Sequence, residues 1–259
     1  MKKNKIDSAV KAGFVILTAS LIILLPFFYI FRRLQRSEYF KIKNIVARGL
    51  KASDLSYLYG SSFFNVDLEK ESDYIRQSFP QCSQVRLIRV FPNCLFADCI
   101  KRIPQAIVKL QKYFYVDKEG VLFYNLGAYQ RHDLPMILGL ENRISSPKSG
   151  KKYNLTELSL ALEIIEEIRR DKFLSAHQIK NIELTSPEGA SVFLFPDRVS
   201  PLKEKAVLTA LEVKVGSEDI KSKIFILSGL MEQTKVDLSR IKYIDLRFKE
   251  PVIKLKDAK

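Results

Sequence analysis

The side chains most often used in catalysis are sparse in this sequence, and their spacing indicates no known reaction. The two histidines, His132 and His177, have no obvious metal-ligand or catalytic-triad neighbour along the chain. Glu163, Glu166 and Glu167 fall on the solvated side of a predicted helix rather than forming an acid–base pair. No serine-hydrolase, zinc-protease or phosphate-binding glycine motif is present. We predict no enzyme activity, cofactor or metal; carboxylates that converge only in the fold are the alternative.

The three cysteines, Cys82, Cys94 and Cys99, lack the C-x-x-C spacing of zinc and thioredoxin-like sites. On one extended strand, Cys94 and Cys99 would lie about 17 Å apart on opposite faces. That distance is too long for a disulfide without a bend. The sequence therefore predicts buried free thiols.

The chain is strongly basic, with 43 lysines and arginines against 29 acidic residues and a net charge of +14. Such a balance raises nucleic acid, anionic lipid or an acidic partner as candidates. The lysines are scattered and follow no nucleic-acid-binding motif. Solvated surface charge is the simplest interpretation.

An uncharged stretch from Ala12 to Phe31 predicts a membrane anchor. Twenty helical residues extend about 30 Å, the thickness of the hydrocarbon core of a bilayer. The stretch ends in aromatic residues followed by Arg32 and Arg33, which favours an uncleaved anchor over a signal peptide. Basic residues on both sides leave the orientation nearly undecided by charge.

The remaining residues predict an α+β protein with two domains. After a tail at 1–11 and a linker at 32–38, residues 39–110 alternate as a strand, two helices and two strand stretches. Residues 111–259 are richer in strands and include two amphipathic helices. The second helix has an apolar face formed by Ile220, Ile224, Leu227 and Met231.

The last segment, Ile241 to Lys256, predicts a bent strand at a sheet edge. Ile244, Leu246 and Phe248 alternate with polar residues, and we expect them to anchor the strand to the sheet. After Pro251 the apolar positions become Ile253 and Leu255, a shift that exchanges the two faces and needs a bulge or bend. Proline has no backbone N–H to donate to a neighbouring strand, and in sheets it is largely confined to edges. We expect Val252 to Leu255 to form an open edge that accepts a strand from another chain.

Several motifs resemble the FtsQ/DivIB cell-division proteins. Val85-Arg86 through Phe91-Pro92-Asn93, and Arg102 through Ala106, fit the frame of the family's POTRA domain. Lys101 stands where the family usually carries glutamate. Gly216 and Lys223 fit a family element in the second half, and Tyr243 through Phe248 match its Tyr-Ile-Asp-Leu-Arg-aromatic strand. The stretch from Asp197 to Val213 departs from the family pattern as an insert.

The resemblance implies a non-enzymatic scaffold of the bacterial division machinery. It implies a single-pass protein of the inner membrane at the septum, with a cytoplasmic N-terminus and both domains outside. FtsB and FtsL are the implied partners, with FtsB on the last strand. The expected contact residues are Arg247, Phe248, Lys249, Val252, Ile253, Lys254 and Leu255.

Other interpretations stay open at this point. Arg247 can instead pair with Asp245, which lies on the same strand face, and Lys249 can be solvated. An envelope chaperone or translocation factor with a POTRA domain is one alternative function. A membrane-tethered cell-wall enzyme is the other.

Overall fold

A computed structural model describes residues 20–26, 28–30, 32–33, 37–126, 133–186, 189–195, 210–233 and 240–256. The chain divides into two compact units, Met1–Lys101 and Arg102–Lys259. Half of the predicted span at 12–31 lies outside the described residues, and its described residues, 20–26 and 28–30, are helical. Within the described ranges, no helix is long and apolar enough to cross a membrane.

The first unit contains a small sheet covered by helices, in the order predicted. Strand β1 (Asn44–Arg48) runs parallel to β3 (Cys94–Lys101), and β3 runs antiparallel to β2 (Cys82–Val90). The strand order is therefore β1-β3-β2. A 3₁₀ helix, Ala52–Leu58, and helix α1, Leu68–Ser78, connect β1 to β2.

The core of this unit lies between the helices and one face of the sheet. Asp67 caps α1, because its carboxylate accepts a hydrogen bond from the Lys70 amide at 3.2 Å. Ile75 of α1 and Leu55 of the 3₁₀ helix are fully buried against alternate strand residues such as Leu95. The alternation seen in the sequence thus gives one apolar face for the helices to cover.

The prediction of free thiols is wrong for two of the three cysteines. Cys82 and Cys99 form a disulfide with a Cα–Cα distance of 5.5 Å, and Cys94 is free and half-buried. Cys99 lies opposite Val85 on β2, and a register shift between Cys82 and Gln84 brings Cys82 within reach. The sequence shows the strands but not this shift, so the pairing could not be predicted from spacing.

The second unit contains a long mixed sheet with the order β12-β11-β10-β9-β8-β7-β4-β5-β6. The pairs β4–β7, β7–β8 and β10–β11 are parallel, and the other neighbours are antiparallel. The strands are β4 (Ala106–Lys109), β5 (Tyr113–Val116), β6 (Leu122–Leu126), β7 (Met136–Leu138), β8 (Gln178–Ser186), β9 (Gly189–Phe195), β10 (Leu211–Gly216), β11 (Ile241–Asp245) and β12 (Val252–Leu255).

The boundary between the units lies earlier than the sequence suggested. Strand β4 lies within the predicted first domain, 39–110, yet it pairs with β5 and β7 of the second sheet. The compact units divide at Lys101 and Arg102 rather than near Leu110. Arg102 forms an ion pair with the buried carboxylate of Asp117, which fastens the start of the second unit. An apolar strand of this length fits either domain, so its pairing decides the boundary.

Two helices pack on one face of the second sheet. Helix α2 spans Thr156–Arg170 and helix α3 spans Ile220–Gln233. The predicted apolar face of α3 is confirmed, because Ile220, Ile224, Leu227 and Met231 are all buried. These helices and the core face of the sheet form one apolar cluster. On β10 and β11 the opposite face carries polar residues, described below.

Candidate functional site

Strand β12 ends the described sheet of the second unit. It runs antiparallel to β11, with Ile244 opposite Ile253 and Asp245 opposite Val252. Its four residues are all exposed. The last segment is thus two strands joined by a reversal, not one bent strand as predicted. Phe248 lies in that reversal and is 61% exposed, so the prediction that it anchors a strand to the sheet is wrong.

Two backbone hydrogen bonds show which groups of β12 face outward. The Lys256 amide donates to the Arg240 carbonyl at 2.8 Å, on the β11 side. The Leu246 amide donates to the Lys214 carbonyl of β10 at 2.8 Å. The backbone groups of the preceding residue, Asp245, therefore point the other way, toward β12. Because the N–H and C=O groups of successive residues point to opposite sides of a strand, those of Val252 and Lys254 point toward β11. The N–H and C=O groups of Ile253 and Leu255 therefore point to the open edge.

The side chains of β12 divide between the two faces of the sheet. Ile253 shares the core face with buried Ile244, yet it is 39% exposed at the margin of the core. Lys254 lies on the polar face, where its Nζ is 6.0 Å from the centre of the Tyr243 ring. The Lys214 ammonium lies over the same ring at 4.5 Å. The edge thus presents apolar side chains on one face and a cation on the other.

A carboxylate fixes the point where the chain leaves β11. Asp245 is buried, and it accepts hydrogen bonds from the Arg247 backbone amide (3.0 Å), Nε (3.0 Å) and Nη2 (2.6 Å). The hydrogen bond from Arg247 lowers the pKa of the Asp245 carboxyl, against the opposing effect of desolvation. The alternative in which Arg247 pairs with Asp245 is therefore what the structure shows.

A polar groove lies beside this ion pair, with a volume of about 690 Å³. Gly216 and Lys223, the residues of one sequence motif, meet Arg247 here. A methyl group added to Gly216 would lie 3.1 Å from the Lys223 Nζ and 3.8 Å from the Arg247 Cα. Glu212 lies in the same groove and accepts a hydrogen bond from the Ser191 hydroxyl at 3.1 Å. The structure thus brings together two motifs that are separate in the sequence.

The predicted contact residues fall into two groups. Arg247, Phe248 and Lys249 lie in the connection between β11 and β12, and residues 252–255 form the edge strand. All are exposed. Sequence reasoning missed Glu212 and Lys214, which lie next to this edge on the polar face. The strand alternation of β10 was the only signal that placed them there.

The other candidate residues take structural positions. His177 lies in a ring contact with Phe173, 5.1 Å between centroids. Glu166 and Glu167 both pair with Arg170 on the surface of α2. His132 and most of the insert from Asp197 to Val213 lie outside the described residues. Within the part of the chain that the structure describes, no group of three or more His, Cys, Asp or Glu side chains could hold a metal.

These features define a two-unit α+β protein whose larger sheet ends, in the described residues, on an exposed strand. Residues 106–247 match the family model of the C-terminal domain of the cell division protein FtsQ/DivIB. The match begins at the first residue of β4 and ends at Arg247, before β12. The chain belongs to the FtsQ/DivIB family of cell division proteins.

Three relatives agree with this assignment. The chain is 26% identical to the cell division protein FtsQ of Syntrophotalea carbinolica over 231 residues, which covers 86% of this chain and 76% of the relative. It is 25% identical to the FtsQ of Geotalea daltonii over 232 residues, with 86% and 78% covered. The FtsQ of a Geobacter species is 26% identical over 196 residues, with 75% and 65% covered.

Proposed function

We propose that this protein is a non-enzymatic scaffold of the division machinery that binds FtsB through β12 and FtsL in the same complex. Membership of the FtsQ/DivIB family supports a role in division. The observation that carries the binding site is the exposed β12, with the backbone groups of Ile253 and Leu255 directed away from β11, its neighbour in the described sheet. A partner strand can add there, because the sheet edge supplies unpaired donors and acceptors in register.

The charges near the edge favour an acidic partner segment. Lys249, Lys254 and Lys256 are exposed on or beside the edge. Lysines at the rim of an interface steer an acidic chain and raise its association rate. Arg247 has a different role in this proposal. It holds the turn through Asp245, and only its remaining exposed surface is available to a partner.

The protein is anchored in the inner membrane through residues 12–31, with its N-terminus in the cytoplasm and both units outside. The Cys82–Cys99 disulfide supports this orientation. Structural disulfides form and persist in oxidising compartments, and they are rare in the cytosol. The disulfide thus supports an orientation that the flanking charges leave nearly undecided.

The test is a substitution that removes one outward donor and leaves the contact with β11 in place. Ile253→Pro removes the Ile253 N–H, and we expect FtsB affinity to fall about tenfold or more, because one ladder bond and its neighbours are lost. Ile253→Ala is the matched control, since it removes the side chain and keeps the donor. Affinity for FtsB of the same bacterium would be measured with the full chain in detergent, alongside a thermal melt.

The two variants separate an edge contact from a side-chain contact. A large loss for Ile253→Pro with a small loss for Ile253→Ala supports strand addition. Equal affinity for Ile253→Pro and the unchanged protein, both folded, would exclude β12 as the docking strand. The same pair introduced into cells depleted of the native protein should differ in division, with filaments only for Ile253→Pro.

A further inference from the structure

The first unit carries an aromatic cluster with three exposed rings at the point where the chain enters it. Tyr39, Phe40, Phe63, Phe64 and Phe91 make up this aromatic cluster. The Phe40 ring is central, with its centroid 5.1 Å from that of Tyr39, 5.2 Å from Phe64 and 5.6 Å from Phe91. Tyr39 is 57% exposed and Phe91 is 67% exposed. Soluble surfaces rarely group large apolar rings in this way without a partner surface.

The cluster is built into the fold rather than carried on a loose loop. Phe63 is buried in the core of the unit, and its amide donates to the Phe40 carbonyl at 2.8 Å. Arg89 donates from Nε to the Phe63 carbonyl at 2.7 Å and also bonds the Val66 carbonyl. These bonds hold the segment that carries Phe63 and Phe64 against β2. The exposed rings are therefore displayed in fixed positions.

The sequence places this surface close to the proposed membrane anchor. From Phe31, the end of the uncharged stretch, to Tyr39, an extended chain reaches at most about 28 Å. Arg32, Arg33 and Arg36 lie between Phe31 and Tyr39 in the sequence. Lys43, which follows Phe40 in the sequence, is exposed. Basic residues next to apolar rings are the combination that binds the headgroup region of an anionic membrane.

We infer that the aromatic cluster is a membrane-contact surface, with the rings of Tyr39, Phe64 and Phe91 inserted at the interface between headgroups and acyl chains. Aromatic side chains are enriched at that depth in membrane proteins. The contact would hold the first unit against the bilayer in a defined orientation. This inference rests on the anchor of the proposed function, because the anchor supplies the proximity.

The absence of tryptophan from the sequence allows a direct test. Phe91→Trp places a single tryptophan in the cluster, and the full chain is reconstituted into vesicles of anionic and zwitterionic lipids. Lipids brominated at known acyl depths quench only a tryptophan that enters the bilayer. Tyr74→Trp is the matched control: Tyr74 is 57% exposed in the same unit, and its ring contact is with Tyr57, outside the cluster.

We expect Phe91→Trp to lose most of its emission to the shallow bromines and Tyr74→Trp to lose little. Adding Tyr39→Asp and Phe64→Asp to Phe91→Trp should restore the emission, because two charges oppose insertion. Blue-shifted emission without bromine quenching would mean that another protein chain covers the rings, and would overturn the lipid contact. Red-shifted, unquenched emission would overturn it as well, since the rings would then lie in water.

The experiment also separates this inference from the proposed anchor. A chain that fails to float with the vesicles after alkaline washing would contradict the anchor and the aromatic contact together. A chain that floats but shows no quenching would overturn the aromatic contact alone. FtsB binding by β12 is measured separately and is unaffected by either result.

Discussion

Asp245 is the buried carboxylate that holds the end of β11 to the turn that follows it. Three donor groups of Arg247 bond its carboxylate and replace the water that burial removes. Arg247 keeps about half of its side chain in solvent. A charge reversal at Arg247 would therefore act first on this turn, by placing two carboxylates together. Substitutions that test partner binding are better placed in β12.

The lowered pKa of Asp245 has a defined effect on stability. A carboxyl with a lowered pKa stabilises the fold above the ordinary aspartate pKa of about 3.9, and that contribution is lost as the pH falls through the lowered value. We expect Asp245→Asn to destabilise the protein more at neutral pH than at about pH 3, because at pH 3 the carboxyl is already largely protonated in the unfolded chain. Urea unfolding at both pH values measures this difference. Glu250→Gln, an exposed change in the same turn, is the control. An equal loss at both pH values would show that packing, not charge, explains the effect.

The disulfide gives a second prediction at the residue scale. Replacing Cys82 and Cys99 together by serine should lower the free energy of unfolding of the first unit by about 3 kcal/mol, because the bond closes a loop with a sequence separation of 17. Cys94→Ser is the matched control and should change it little. Urea unfolding with and without a reductant measures both. Reductant should destabilise the native protein and leave the double variant unchanged; a double variant as stable as the native protein would contradict the prediction.

At the scale of elements, the sequence predicted most strands and helices but not how distant strands pair. The face of α3 and the order of elements in the first unit follow from local periodicity. The neighbours of β4, the reversal after β11 and the Cys82–Cys99 bond depend on register between segments far apart. Phe248 fits the alternation of Ile244 and Leu246, yet it lies beyond the end of the strand. Alternation in the sequence does not show where the ladder stops.

The position of β4 predicts which fragment folds. A fragment of residues 102–259 should melt cooperatively, whereas residues 111–259 should not. Ile107 and Val108 are fully buried between β5 and β7, so their removal opens the sheet in its interior. Thermal melts and the dispersion of amide NMR shifts compare the two fragments. A cooperative melt of residues 111–259 would return the boundary to Leu110.

At the scale of the whole molecule, the first unit is small for a domain that folds by itself. Units of this size bury a limited core, and a covalent bond between strands adds to their stability. The disulfide therefore links the orientation of the proposed anchor to the stability of the unit. Export to an oxidising compartment would complete its fold.

The proposed orientation predicts the outcome of proteolysis in cells. Protease added to spheroplasts should digest both units and leave the residues before the span protected, because only the tail at 1–11 would face the cytoplasm. Antibody detection of tags at either end measures the two parts. A cytoplasmic marker protein controls for lysis. Protection of both units in intact spheroplasts would contradict this orientation.

The turn between β11 and β12 is fastened at its start by Asp245 and restricted at its end by the ring of Pro251. A connection that is restricted at both ends can adopt few conformations, so we expect β12 to be paired with β11 before a partner binds. In the proposed complex, the conformational entropy lost on association then falls mainly on the incoming strand. The backbone hydrogen bonds between the two strands then slow dissociation of the complex. Its association rate depends on the fraction of partner molecules whose binding segment is already extended. Substitutions in β12 should therefore shorten the residence time of the partner more than they slow its arrival.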